Sequence, residues 1–255
     1  MTRPLLIAHR GASAFAPENT LAAFQLAIDV GAEGVEFDVH LTKDGVPVVI
    51  HDDDLRRTGM RSERVADLTA DELAKVDIGS WFNTKYPDLA SPKFAKQRVA
   101  SLTDVLDLLK DFRGLIFIEL KCDEGNCRDL VSALCEVISE APRLPQMIVK
   151  SFKLGAIPEI GHRLPNVTTA ALFGSEIMHY LRRREYLIAL AREFGADQLS
   201  VHYSLVTPRL CKLAGDAKMP LTVWTVDDPV WVMRRRNLSI RAVITNDPAR
   251  MLAAF

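Results

Sequence analysis

The stretch GVEFDVHLTKDGVPVVIHDD, residues 34–53, reads as a strand, a turn and a returning strand. Side chains alternate along a strand, so Val35, Phe37 and Val39 face one way while Glu36 and Asp38 face the other. The Asp44–Gly45 pair is a hairpin signal, and VPVVI then brings the chain back to His51 and Asp52. A second stretch, LIFIELK at 115–121, has the same habit. Leu115, Phe117, Glu119 and Lys121 share one face, and Ile116, Ile118 and Leu120 share the other. The wholly apolar face suits a layer of helices. The opposite face carries an acid and a base inward.

These strands belong to a longer alternation. Short β-rich runs lie near 5–8, 34–39, 115–120, 147–151, 167–173, 196–200, 220–224 and 242–245, with helical patterns between them. Leu21, Phe24 and Ile28 repeat at helical spacing, with Asn19 as the expected N-cap and Gly31 at the stop position. Leu102, Val105, Leu106 and Leu109 do the same after Ser101, and a further helix is expected from about Ile177 past the RRRE run. Eight strands alternating with helices predict an α/β fold, a closed (β/α)8 TIM barrel spanning 1–255 as one domain. An open doubly wound sheet is the competing topology, but the G-x-G-x-x-G fingerprint of dinucleotide folds is absent. Residues of about 54–100 are too many for an ordinary βα connection and predict a small insertion after the second-strand hairpin, placed to cover the substrate end.

Composition narrows the function. Lys and Arg number 32 against 33 Asp and Glu, a formal charge of −1, so there is no general basic field to hold nucleic acid. The first apolar run, Leu5 to Ala8, is too short for a signal-peptide core, and no stretch approaches the roughly 20 apolar residues of a membrane span. A cytoplasmic protein without stable membrane insertion is expected; the oligomeric state is not indicated. Cys122, Cys127, Cys135 and Cys211 read as reduced thiols, and their spacing lacks the close C-x-x-C pairs of structural zinc sites.

Glu36, Asp38 and Glu119 gathered at the ends of two strands would repel one another, and burying them unpaired costs several kcal/mol. Either ion pairs with Lys121, Arg10 and other bases offset the charge, or a divalent cation with oxygen ligands does, Mg²⁺ or Ca²⁺ being suited to carboxylates. His9 and His51 each follow a predicted strand, and two imidazoles flanking an acidic cluster can act as base and acid around a reacting centre. Arg10 offers a planar fork of donors for phosphate oxygens. His40 either faces inward near the acids or lies at a strand edge, while His162, His179 and His202, in helix or loop contexts, are expected to be structural or exposed.

The ordered set HRG (9–11), APENT (16–20), VEFDVHLTKDGVPVVIHDDDLRRT (35–58), GSWF (79–82), FIELK (117–121), VWTVDD (223–228) and ITNDP (244–248) resembles the glycerophosphodiester phosphodiesterase family over nearly the whole chain. The resemblance implies a TIM barrel with an insertion and metal-dependent hydrolysis of a small-molecule glycerophosphodiester to an alcohol and glycerol 3-phosphate. It implies His9 and His51 as the acid/base pair and Glu36, Asp38 and Glu119 as ligands of the Mg²⁺ or Ca²⁺ cofactor. Arg10 and Lys121 are implied to contact phosphate or steady the site, and Trp224 to line the pocket; apart from the resemblance, Trp224 is equally apolar bulk. Ala100 stands where relatives usually have Pro, Lys150 where small residues are common, and Asn246 at a variable place. The last two are candidates for tuning the choice of alcohol. Glu18 is expected to favour the positive end of the first helix rather than to buttress the site. A related diesterase acting on lysophospholipids or another diester and a noncatalytic metal- or phosphate-binding barrel are the competing functions.

Overall fold

Apolar strands and amphipathic helices alternate through the computed structural model, which describes residues 3–123, 125–141, 146–181, 183–235 and 237–254. The first part comprises β1 (Leu5–His9), α1 (Leu21–Asp29), β2 (Gly34–Leu41), β3 (Pro47–Val49), α2 (Ala70–Leu73), α3 (Ser80–Lys85), β4 (Ala100–Ser101) and α4 (Leu102–Leu108). Next come β5 (Leu115–Leu120), α5 (Cys127–Ser139), β6 (Met147–Ser151), α6 (Ala156–Arg163), β7 (Thr168–Phe173) and α7 (Tyr186–Glu193). The chain ends with β8 (Gln198–His202), α8 (Pro208–Asp216), β9 (Leu221–Trp224), α9 (Pro229–Met233), β10 (Ala242–Thr245) and α10 (Pro248–Ala253).

Strands β1, β2 and β5 to β10 pair in parallel, and the β1–β2 pairing closes the ring into the expected eight-stranded barrel. β3 lies antiparallel to β2 and β4 antiparallel to β3, outside the ring. The alternation in the sequence explains the two apolar layers. Ile7, Phe117, Ile148, Ala170 and Ile244 fill the barrel interior. Val35, Phe37, Ile116 and Ile118 point outward and pack with Phe24, Val105, Leu134 and Ile160 of the helices. In α5 the buried residues Leu130, Val131, Leu134, Cys135 and Ile138 form one stripe at helical spacing. Burying each leucine- or isoleucine-sized side chain contributes about 1.5–3 kcal/mol.

The chain between β3 and β4 builds a small core of its own from Leu55, Val65, Leu73, Val76 and Ile78, packed with Val48 and Val99. Asp53 and Arg64 from this segment, with His40, Lys121, Phe152 and Lys153, line a cavity of about 320 Å³ at the carboxyl ends of the strands. The long connection therefore borders the mouth of the barrel.

Three local expectations are corrected. Thr20, not Asn19, caps α1, its hydroxyl accepting from the Ala23 amide at 3.2 Å. The helix expected from Ile177 is interrupted: Ser175–His179 is a 3-10 turn and α7 begins only at Tyr186, with Arg182 outside the described residues. Apolar residues fail at helical spacing across the arginine run and resume at Leu187 and Ile188, which are buried. Cys122 and Cys127 are joined as a disulfide rather than reduced, because the chain turns back from β5 into α5 and brings their Cα atoms to 4.8 Å; Cys135 and Cys211 are free and buried. Among the described residues no helix is long and apolar enough to cross a membrane.

Candidate active site

Strand register assembles the acidic cluster. His9 of β1 lies level with Glu36 of β2, Asp38 of β2 level with Glu119 of β5, and Glu119 level with Lys150 of β6. All these side chains turn to the inside, so neighbours in the ring become neighbours in the site. Glu36 is 0% exposed, Asp38 1% and Glu119 5%, and one oxygen from each lies within 4.8 Å of the others.

Three cations answer the three carboxylates. Lys121 Nζ is 3.1 Å from Asp38 Oδ1 and also pairs with Glu119 Oε1. Arg10 Nε lies 3.1 Å from Asp38 Oδ2, and the Arg10 amide donates to Glu36 Oε2 at 3.3 Å. Lys150 Nζ lies 2.8 Å from Glu36 Oε1 and 3.1 Å from Glu119 Oε2. Burial opposes the charge on Asp38, but Lys121, Arg10 and the Asn19 side chain outweigh it and hold its carboxyl far below the usual range. Burial likewise opposes ionisation of Glu119, and Lys150 and Lys121 overcome it. The neighbouring cations thus favour the charged carboxylates of Asp38 and Glu119 despite their burial.

The donor set also fits a hard divalent cation. Three carboxylates offer oxygen ligands of the kind such ions select. Glu36 Oε1 and Glu119 Oε1 are buried and face lysine ammonium groups, so a cation binding there would compete with Lys150 and Lys121 for these oxygens.

The two histidines sit in different electrostatic surroundings. His9 Nδ1 lies 2.7 Å from Asn246 Oδ1. Asn246 Nδ2 donates to Asp227 Oδ2 at 2.7 Å, and a carboxylate only accepts, so the amide oxygen is the atom that faces His9. His9 Nδ1 therefore carries the proton, and Nε2, 3.9 Å from Glu36 Oε2, presents a lone pair. Burial, partly offset by Glu36, lowers the His9 pKa and keeps the ring neutral. His51 Nδ1 instead lies 2.7 Å from Asp52 Oδ1, and Asp52 Oδ2 accepts from Arg57 Nε at 2.7 Å. His51 follows β3; the Ile50 amide donates to the Asp38 carbonyl at 3.1 Å and the His40 ring meets the His51 carbonyl at 3.0 Å, which secures that backbone against β2.

Trp224, at the end of β9, packs edgewise on Phe152 and His202. Its indole N–H is buried without a hydrogen-bond partner among the described residues. His202 ends β8 and packs against Trp224.

Several site residues escaped sequence reasoning. Asn19 Nδ2 donates to Asp38 Oδ2 at 2.9 Å. Glu18 buttresses the site, contrary to expectation: it accepts from Arg10 at 2.7 Å and from Arg57 at 2.7 and 2.8 Å. Arg10 and Asn19 both have positive φ, 57° and 55°, and Gly11 between them has 78°. That winding turns the Arg10 and Asn19 side chains onto Asp38 and Glu18 back onto Arg10. The offsets among HRG and PENT carried the signal, but only a known turn could have decoded it.

A closed parallel barrel with buried carboxylates, cations and imidazoles at the carboxyl ends of its strands defines a barrel enzyme, since this is the face on which such barrels hold their chemistry. Residues 9–250 match the profile of the Glycerophosphoryl diester phosphodiesterase family. The glycerophosphodiester phosphodiesterase of Caldanaerobacter subterraneus subsp. tengcongensis is 32% identical over 98% of this chain and 97% of its own. That of Bacillus subtilis is 33% identical over 96% of this chain and 84% of its own. The solved structure of an Oleispira antarctica phosphodiesterase in complex with the product sn-glycerol-3-phosphate superposes with a TM-score of 0.87 at 25% identity, covering 99% of this chain and 96% of that one. The chain belongs to the glycerophosphoryl diester phosphodiesterase family and is an enzyme of that class.

Proposed function

We propose that the protein hydrolyses glycerophosphodiesters to an alcohol and glycerol 3-phosphate, with His9 as general base, His51 as general acid, and Mg²⁺ or Ca²⁺ held by Glu36, Asp38 and Glu119. The observation that carries this reading is the buried carboxylate triad next to an imidazole whose Nε2 is an acceptor. The relative from Oleispira antarctica, solved with sn-glycerol-3-phosphate, supports the same product for this chain.

A phosphodiester resists attack because its anionic oxygens repel nucleophiles and an alkoxide leaves poorly. A divalent cation, when bound, supplies positive charge to the phosphoryl oxygens. Arg10 and Lys121, with side chains 17% and 19% exposed, reach the mouth and add donors to the same oxygens. His9 Nε2 takes the proton of the attacking hydroxyl as the new phosphorus–oxygen bond forms, the hydroxyl being that of water or the glycerol 2-hydroxyl, whose cyclic phosphate a water then opens to glycerol 3-phosphate. His51 Nε2 gives a proton to the departing alcohol oxygen as the old bond breaks, with Asp52 as counter-charge to the ring. Trp224, packed edgewise on Phe152 and His202, would supply an aromatic wall against the substrate.

The test is a coupled assay for glycerol 3-phosphate over a panel of glycerophosphodiesters and lysophospholipids, on chelator-stripped protein with each cation supplied in turn. Release of glycerol 3-phosphate that returns on adding Mg²⁺ or Ca²⁺ supports the reading. Full turnover in stripped protein would remove the cation, and cleavage of lysophospholipids alone would replace the substrate.

A further inference from the structure

All five residues of β6 are buried, and the fourth is a lysine. Lys150 is 2% exposed, so unlike Arg10 and Lys121 it reaches no substrate. Its register neighbour on β7 is Ala170, a small residue that leaves the interior open to a four-carbon stem. The ammonium lands on Glu36 Oε1 and Glu119 Oε2 at 2.8 and 3.1 Å. Those two carboxylates belong to the triad assigned above to the divalent cation. One set of lone pairs therefore faces two claimants: an ion from solution and a positive charge tethered to the chain.

We propose that Lys150 is a built-in cation that holds Glu36 and Glu119 together in the metal-free enzyme and has to yield them when the divalent ion binds. Without a positive charge at this depth the buried carboxylates repel one another, and removing one partner of a buried ion pair is strongly destabilising. With Lys150 present, the cluster folds before any metal arrives. The same ammonium then opposes the incoming ion twice, by occupying ligand oxygens and by like charge. Lys150 thus makes this site more stable when empty and weaker in its hold on metal than the triad alone would be. The role differs from the tuning of alcohol choice expected from the sequence, and it rests on the reading of the triad as the metal centre.

The experiment compares chelator-stripped wild type with Lys150→Met and Lys150→Gln, using calorimetric titration with Mg²⁺ and with Ca²⁺ and thermal melting with and without metal. The neutral variants are expected to bind metal at least about tenfold more tightly, a difference of about 1.4 kcal/mol. They should also melt below wild type when metal-free, with the gap closing at saturating metal. Equal or weaker binding in the variants overturns the proposal while leaving the metal centre standing. Absence of binding in every form overturns the metal centre, and the proposal with it. Should the neutral variants fail to fold without metal, wild type carrying ¹³Cε-labelled lysine is titrated instead, its Lys150 resonance assigned with Lys150→Arg. That resonance should move as Mg²⁺ binds, and an unmoved signal during binding refutes displacement.

Discussion

Asn246→Leu tests how the neutral imidazole is prepared. The amide oxygen of Asn246 accepts from His9 Nδ1 at 2.7 Å, and the His9 side chain is only 16% exposed. Leucine has nearly the same bulk but no acceptor, so a largely buried ring N–H loses its partner. Leaving such a donor unsatisfied costs about 1–3 kcal/mol. The ring can recover part of this by adopting the other tautomer, which turns the lone pair away from substrate. Asp227 keeps the Thr245 hydroxyl at 2.9 Å and the Asn246 amide at 2.7 Å, so the surrounding loop retains its anchors. Spent on the transition state, about 1–3 kcal/mol lowers kcat/KM about 5- to 150-fold. Steady-state kinetics in a double-mutant cycle with His9→Ala checks this. If Asn246 works through His9, the leucine substitution changes kcat/KM less than about twofold once the imidazole is gone. The same loss in both backgrounds, or none in wild type, refutes the assignment.

His9→Ala and His51→Ala should each lower turnover about 10²- to 10⁴-fold with the melting profile retained, as general acid and base groups do; near-normal rates in both would remove the pair. Burial lowers the His9 pKa, so the ring is still mostly neutral at pH 6.5, where free imidazole is half protonated. The acid limb of kcat/KM should therefore fall below pH 6.5, since activity is lost only as pH drops through the folded value; a limb well above it would contradict His9 as the base. Gly11→Ala should destabilise the fold by about 1–3 kcal/mol in denaturant titration. The residue has φ of 78°, and a Cβ there would lie 2.5 Å from the Ala23 carbonyl carbon. Unchanged stability would mean that the turn after β1 relaxes freely.

The barrel was legible because it is written at short range. Side chains alternate with a period of two, so Glu36, Asp38 and Glu119 could be assigned to the inner face from their own strands, before any partner was known. The pairing of those strands was not legible in the same way. Register decides that Asp38 stands level with Glu119, and Glu119 with Lys150, and register is set by how all the strands of the ring close on one another. The sequence left open whether ion pairs or a metal offset the acids. The structure shows ion pairs in place around a donor set that also suits an ion. Asn246 reaches His9 across 237 positions, and Glu18 reaches Arg57 across 39, separations over which spacing carries no information. Local backbone geometry accounts for which face each residue takes, whereas charge complementarity across the closed ring selects which residues meet.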